Sequence, residues 1–157
     1  MAAARKFGVF GEEEVLVQAR MMPRVVVEGM RTMAFCRDEE FVRNIREASV
    51  VISHGGSTLL SVVRAGKTPV AMPRRADLGE IVNDHQVAFV AALARRGLAS
   101  VAYEAEDLPR AIRRAREMGR PVALEGGGAV VVADAVRAAA SIRRRGSEDS
   151  RTERISR

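Results

Sequence analysis

Between Ser49 and Val101 the chain passes twice through one pattern: a short β-branched run, an abrupt polar turn, an apolar stretch at helical spacing, and a glycine. The first pass is Val50 to Ser53, then His54-Gly55-Gly56-Ser57-Thr58, then Leu59, Leu60, Val62 and Val63, ending near Gly66. The second is Thr68 to Met72, closed by Pro73, then a loop from Arg74 to Asn83, then a helix from about Asp84 to Arg96 stopped by Gly97. Leu98 to Val101 begins a third strand. Glycine suits these stops because it enters the left-handed conformation without a Cβ penalty. A strand that returns parallel to its predecessor needs a helical crossover, so the alternation predicts an α/β layer with a mostly parallel sheet and right-handed connections.

The flanks extend the pattern less regularly. Lys6 to Phe10, Glu14 to Gln18, Arg24 to Val27 and Thr32 to Phe35 have strand composition and length. Phe41, Val42, Ile45 and Ala48 recur at helical spacing behind Asp38, a good N-cap with acids after it. Asp107 to Met118, with Pro109 near the first turn, and Ala129 to Arg144 read as two more helices. A chain of 157 residues supports one ordinary core, so residues 1–145 are expected to form a single domain, and 146–157 a disordered polar tail.

Charge narrows the function classes. The formal net charge is +6 and the cations are almost all arginine, Lys6 and Lys67 being the only lysines. Guanidinium pairs well with phosphate, yet aromatic residues are 4% and no stacking platform or nucleic-acid motif is present, so no nucleic-acid partner is expected. The single Cys36 cannot form an internal disulfide, and neither a signal-type segment nor an apolar run of membrane-spanning length occurs; a cytoplasmic location is expected.

In an open α/β sheet, ligands sit beyond the carboxyl ends of the strands. His54, Gly55, Gly56, Ser57 and Thr58 fall there, at the start of a helix whose free N–H groups and dipole favour an anion. Ser57 and Thr58 are placed to cap that helix or donate to phosphate. A plain structural junction would also look like this, so a second group of residues matters. Pro73 and Arg74, then Asn83, Asp84, His85 and Gln86, follow the next strand and open the next helix, and the chain's two histidines, His54 and His85, thus share one edge. No metal is expected, since no further Cys or His completes a ligand set, and Cys36 has no histidine near it for a nucleophilic arrangement.

These segments, ASVVISHGGSTLLSVVRAGKTPVAMPRR followed by EIVNDHQVAFVAALARRG, resemble the C-terminal, donor-binding half of family 28 glycosyltransferases of the GT-B type. They are most similar to the small stand-alone subunits of two-part enzymes that assemble lipid-linked oligosaccharides and exopolysaccharides. The resemblance covers about Glu14 to Val101. It implies a Rossmann-like sheet with helices on both faces and a UDP-sugar as donor substrate, without a cofactor. His54, Gly55, Gly56, Ser57 and Thr58 would meet the diphosphate or sugar, with Pro73, Arg74, Asn83, Asp84, His85 and Gln86 closing from the other side. It also implies a membrane-associated, acceptor-binding partner subunit that supplies the base, and through it a place at the inner face of the membrane. Two departures are visible. Phe7 to Gly11 runs almost directly into Glu12, where the family has a glycine loop and a full helix, so part of the N-terminal unit is expected to be missing. Ser61 stands where many relatives place a ribose-binding glutamate. A degenerate, non-catalytic nucleotide-sugar-binding or scaffold module is the alternative that these departures raise.

Overall fold

The computed structural model describes residues 14–19 and 30–120. The strands expected at Lys6 to Phe10 and Arg24 to Val27, the helix Ala129 to Arg144 and the tail from Gly146 lie outside the described residues. Within them the order is β1 (Val15–Gln18), β2 (Met30–Met33), α1 (Asp38–Glu47), β3 (Ile52–Ser53), α2 (Ser57–Arg64), β4 (Val70–Ala71), α3 (His85–Arg95), β5 (Ser100–Val101), a 3-10 turn (Ala105–Asp107) and α4 (Leu108–Met118). All strand pairing is parallel: β1 with β2, and β3, β4, β5 in that order. The central ladder reaches one residue past the short strands, with Val70 N–H donating to Val51 O at 2.9 Å and Met72 N–H to Ser53 O at 2.8 Å. On the other side Ser100 N–H donates to Pro69 O and Ala102 N–H to Ala71 O, each at 3.0 Å.

Successive residues of a strand face opposite sides, and β4 shows where the layers lie. Ala71 belongs to a buried cluster with Leu59 and Val63 of α2, Val90 and Leu93 of α3, and Leu98. Its neighbour Val70 belongs to a second cluster with Ala102, Val15 of β1, and Leu108, Ala111 and Ile112 of α4. Helices α2 and α3 therefore cover one face of the sheet and α4 the other, the expected Rossmann-like α/β arrangement. Leu59, Val62, Val70, Val90 and Ile112 are completely buried, which at about 1.5–3 kcal/mol for each large apolar side chain makes these two layers the main source of cohesion.

Hydrogen bonds fix the amino edge of the sheet. The Lys67 ammonium donates to the carbonyls of Arg46 and Ala48 at the end of α1, filling acceptors the helix cannot satisfy itself. Thr68 Oγ1 donates to Gly119 O at 2.9 Å just past α4. Gly66 and Gly97 have φ of 75° and 67°, the left-handed stops anticipated after α2 and α3.

Three local expectations need correction. Asp38 is the first residue of α1 rather than its cap: Phe41 N–H already reaches Arg37 O at 2.9 Å, so the helix opens one residue earlier and Asp38 acts through its charge in the first turn. The strand expected over Thr32 to Phe35 lies at Met30–Met33, because its register is set by pairing Val15 with Met30 and Gln18 with Met33. Phe35 is left 80% exposed beyond the pairing. Ser57 and Thr58 are the first two residues of α2 and do not cap it; the extended Gly56 does, and no side chain bonds to the cap. Among the described residues no helix is long and apolar enough to cross a membrane.

Candidate functional site

At the carboxyl end of β3 the backbone reverses within three residues. Gly56 N–H donates to His54 O at 2.7 Å, and α2 begins at once, with Leu59 N–H reaching back to Gly56 O at 3.2 Å. Amides at Ser57 and Thr58 lie in the first turn, where a helix offers no acceptor of its own, and the positive end of its dipole lies there too. The cap is supplied by backbone, and neither hydroxyl bonds to it. Gly56 lies under the His54 ring: a Cβ there would stand 2.8 Å from the ring's Cε1 and 3.1 Å from Nδ1.

Gly55 has a different neighbour. Its N–H donates to Gln86 Oε1 at 3.2 Å, and an added Cβ would stand 2.7 Å from Gln86 Cβ, 3.0 Å from Gln86 O and 3.1 Å from Gln86 Cα. The first turn of α3 is therefore packed directly on the turn after β3, an approach only glycine permits. The same Gln86 oxygen accepts from Arg74 N–H at 3.0 Å, and Gln86 is only 5% exposed.

The loop from Arg74 to Asp84 is tied internally. Asp84 Oδ1 accepts from Ala76 N–H at 3.0 Å, Glu80 Oε2 accepts from Arg75 N–H at 3.1 Å, and Gly79 N–H donates to Ala76 O at 3.0 Å. The Arg75 guanidinium spans Asp77, at 2.6 Å and 3.0 Å, and Glu104 in the loop after β5. Asn83 Oδ1 accepts from His85 N–H at 3.2 Å and also meets the His85 ring through Nδ1. Leu78 and Val82 stand out into solvent, Val82 at 96% exposure.

Electrostatically the site has the exposed Arg74 guanidinium near His54 and mixed charge at its rim. Burial, and secondly the Arg74 guanidinium, hold the His54 imidazole below its ordinary range, so it is mainly neutral near pH 7. Hydrogen bonds to Asp77 and Glu104 push the Arg75 guanidinium above its usual value, and the bond from Arg75 holds the Asp77 carboxyl below its own. The Arg74 guanidinium and the mainly neutral His54 ring thus lie beside the first turn of α2.

The residues anticipated from sequence divide accordingly. His54, Gly55, Gly56, Arg74 and Gln86 are brought together, with Ser57 and Thr58 opening α2 beside them. Pro73 is buried at the end of β4, Asp84 braces the loop, and Asn83 and His85 bond to each other. Sequence reading quoted Arg75 without a role and missed Asp77 and Glu104, the bracing of the rim. One signal for Glu104 was present: Glu104 and Asp107 stand at capping-box spacing around the 3-10 turn. A shallow groove on α1, lined by Asp38, Val42, Arg43, Arg46 and neighbours, contains none of these groups. Among the described residues no three His, Cys, Asp or Glu side chains are placed to share a metal ion.

No curated protein and no solved structure matches the chain. The family model described as Glycosyltransferase family 28 C-terminal domain matches it over residues 5–124. That span contains every described residue, including the whole edge just built, from His54 to Gln86. With its parallel sheet, its glycine turn at a helix start and its facing arginine loop, the chain belongs to the family 28 glycosyltransferases as a C-terminal, nucleotide-sugar-binding domain.

Proposed function

We propose that the chain binds a UDP-sugar at the carboxyl edge of β3 and β4 and, with a separate acceptor-binding subunit, transfers the sugar to a lipid-linked or polysaccharide acceptor. The observation that carries this reading is the joining of two walls at one point, the His54-Gly55-Gly56 turn and the Arg74 loop, beside the first turn of α2. The first-turn amides of α2, the Ser57 and Thr58 hydroxyls, Arg74 and His54 are suited to a diphosphate. When the glycosidic bond to the donor breaks, negative charge grows on the departing UDP, and preorganised donors of this kind stabilise it without reorganising. No carboxylate or imidazole of this edge is assigned as the base; deprotonating the acceptor hydroxyl falls to the partner, a membrane-associated subunit that would bring this chain to the cytoplasmic face of the membrane.

Calorimetric titration of the full chain with UDP, UDP-glucose, UDP-GlcNAc and UDP-glucuronic acid tests the reading. UDP and at least one UDP-sugar should bind, and His54→Ala should weaken both. Failure of every one to bind refutes the proposal. Binding that never leads to transfer with any acceptor-side subunit would instead support a non-catalytic nucleotide-sugar-binding module.

A further inference from the structure

We infer that Gln86 is a positioning residue, fixing the Gly55 turn and the Arg74 loop to each other so that both walls of the site respond to a ligand as one unit. That this serves nucleotide-sugar binding rests on the reading above; the positioning itself rests on geometry. A single buried oxygen, Gln86 Oε1, accepts from two backbone N–H groups that lie 31 and 12 residues away along the chain. Two donors on one carbonyl oxygen occupy both of its lone pairs, which settles the orientation of the side-chain amide. The backbone of Gln86 is held just as closely, since its Cβ, Cα and O fill the space a Gly55 side chain would need.

Each bonded amide sits beside a charged or titrating group of the site. Gly55 directly follows His54, and Arg74 is the residue whose guanidinium depresses His54. A displacement of either segment therefore changes the distance between the Arg74 guanidinium and the His54 ring, the two side chains that would share an anion. Gln86 is the one polar side chain of α3 buried at this edge; His85 beside it is exposed and turned to Asn83.

The test is amide hydrogen exchange on the full chain, for wild type, Gln86→Met and Gln86→Glu. Methionine keeps the length and loses the acceptor; glutamate keeps an oxygen that accepts from both amides. Without ligand, Gln86→Met should speed exchange at Gly55 and Arg74 together by roughly tenfold, the factor equivalent to one hydrogen bond, while Ala102 in the central ladder stays unchanged. Gln86→Glu should restore both. Acceleration of only one amide, of neither, or no rescue by glutamate overturns the inference. With UDP present, wild type should gain protection at both amides, and Gln86→Met at Gly55 alone; equal protection of both in the methionine variant also overturns it. If wild type does not bind UDP, the functional reading falls, and the ligand-free exchange still decides the positioning role.

Discussion

Replacing Gly55 by alanine is the sharpest perturbation of this site, because the new methyl meets atoms that cannot step aside. It would lie 2.7 Å from Gln86 Cβ, 3.0 Å from its carbonyl oxygen and 3.1 Å from its Cα, against a comfortable carbon–carbon separation of about 3.5–4.0 Å. Relief of roughly 1 Å must come from moving the start of α3 or the turn itself. Overpacking of this kind costs about 1–3 kcal/mol, and loss of the Gly55 N–H bond to Gln86 adds about 1 kcal/mol. The smaller entropy of an unfolded alanine returns about 0.4–1 kcal/mol, which leaves a net loss of about 1–3.6 kcal/mol. With a urea slope of about 2 kcal/mol/M, the unfolding midpoint should fall by about 0.5–1.8 M. UDP affinity should fall as well. Gly56→Ala is the control: its methyl meets only the far end of the His54 ring, 2.8 Å from Cε1, and that ring can rotate away. Its stability should stay within about 0.5 kcal/mol of wild type while UDP binding weakens, because the imidazole has been moved. If Gly55→Ala unfolds at the wild-type urea concentration, or Gly56→Ala is the less stable of the two, the packing argument is wrong.

Four further outcomes are expected. Because the folded His54 value lies below the ordinary imidazole value, folding favours the neutral ring: its contribution to stability is unpenalised above that ordinary value and declines as pH falls through it towards the folded value. A bound diphosphate reverses the preference, so UDP affinity should strengthen from pH 8 to pH 6, with proton uptake seen calorimetrically and lost in His54→Gln. In an NMR titration of the ring, Arg74→Gln should recover only the smaller part of the His54 depression, burial being the larger cause. Lys67→Met, which strips the ammonium from the two carbonyls ending α1, should cost about 1–2 kcal/mol by urea unfolding, with no change in UDP affinity. Arg75→Gln should leave the unfolding midpoint unchanged, since its partners Asp77 and Glu104 are exposed, yet speed amide exchange at Ala76 and Glu80 in the loop it braces.

Much of the fold was legible because its determinants are local. The β-branched runs ending at Ser53 and Met72, the apolar spacing of Leu59, Val62 and Val63, and the glycines at 66 and 97 each declare themselves within a few residues. Parallel pairing of β3, β4 and β5 follows from their alternation with helices, whereas that of β1 with β2 does not. Strand ends were less legible: Thr32 to Phe35 has the right composition, but its register is dictated by β1, fifteen residues away from Met30 to Val15, and Phe35 is left outside. The start of α1 turned on a single backbone bond, Phe41 N–H to Arg37 O, which outweighs the cap preference of Asp38.

The site divides along the same line. His54-Gly55-Gly56 and Asn83-Asp84-His85-Gln86 are visible as two strand-to-helix junctions, and a shared edge follows from topology. What each residue does there is set by contacts between the junctions, which spacing along the chain does not encode. Two adjacent glycines look interchangeable in sequence, yet Gly55 makes room for the backbone of α3 and Gly56 for a histidine ring. Gln86 and His85 are likewise neighbours, one buried with its oxygen shared by both walls, the other exposed and bonded to Asn83. Substituting each member of these pairs in turn therefore separates the part of the edge that holds the fold together from the part that meets a ligand.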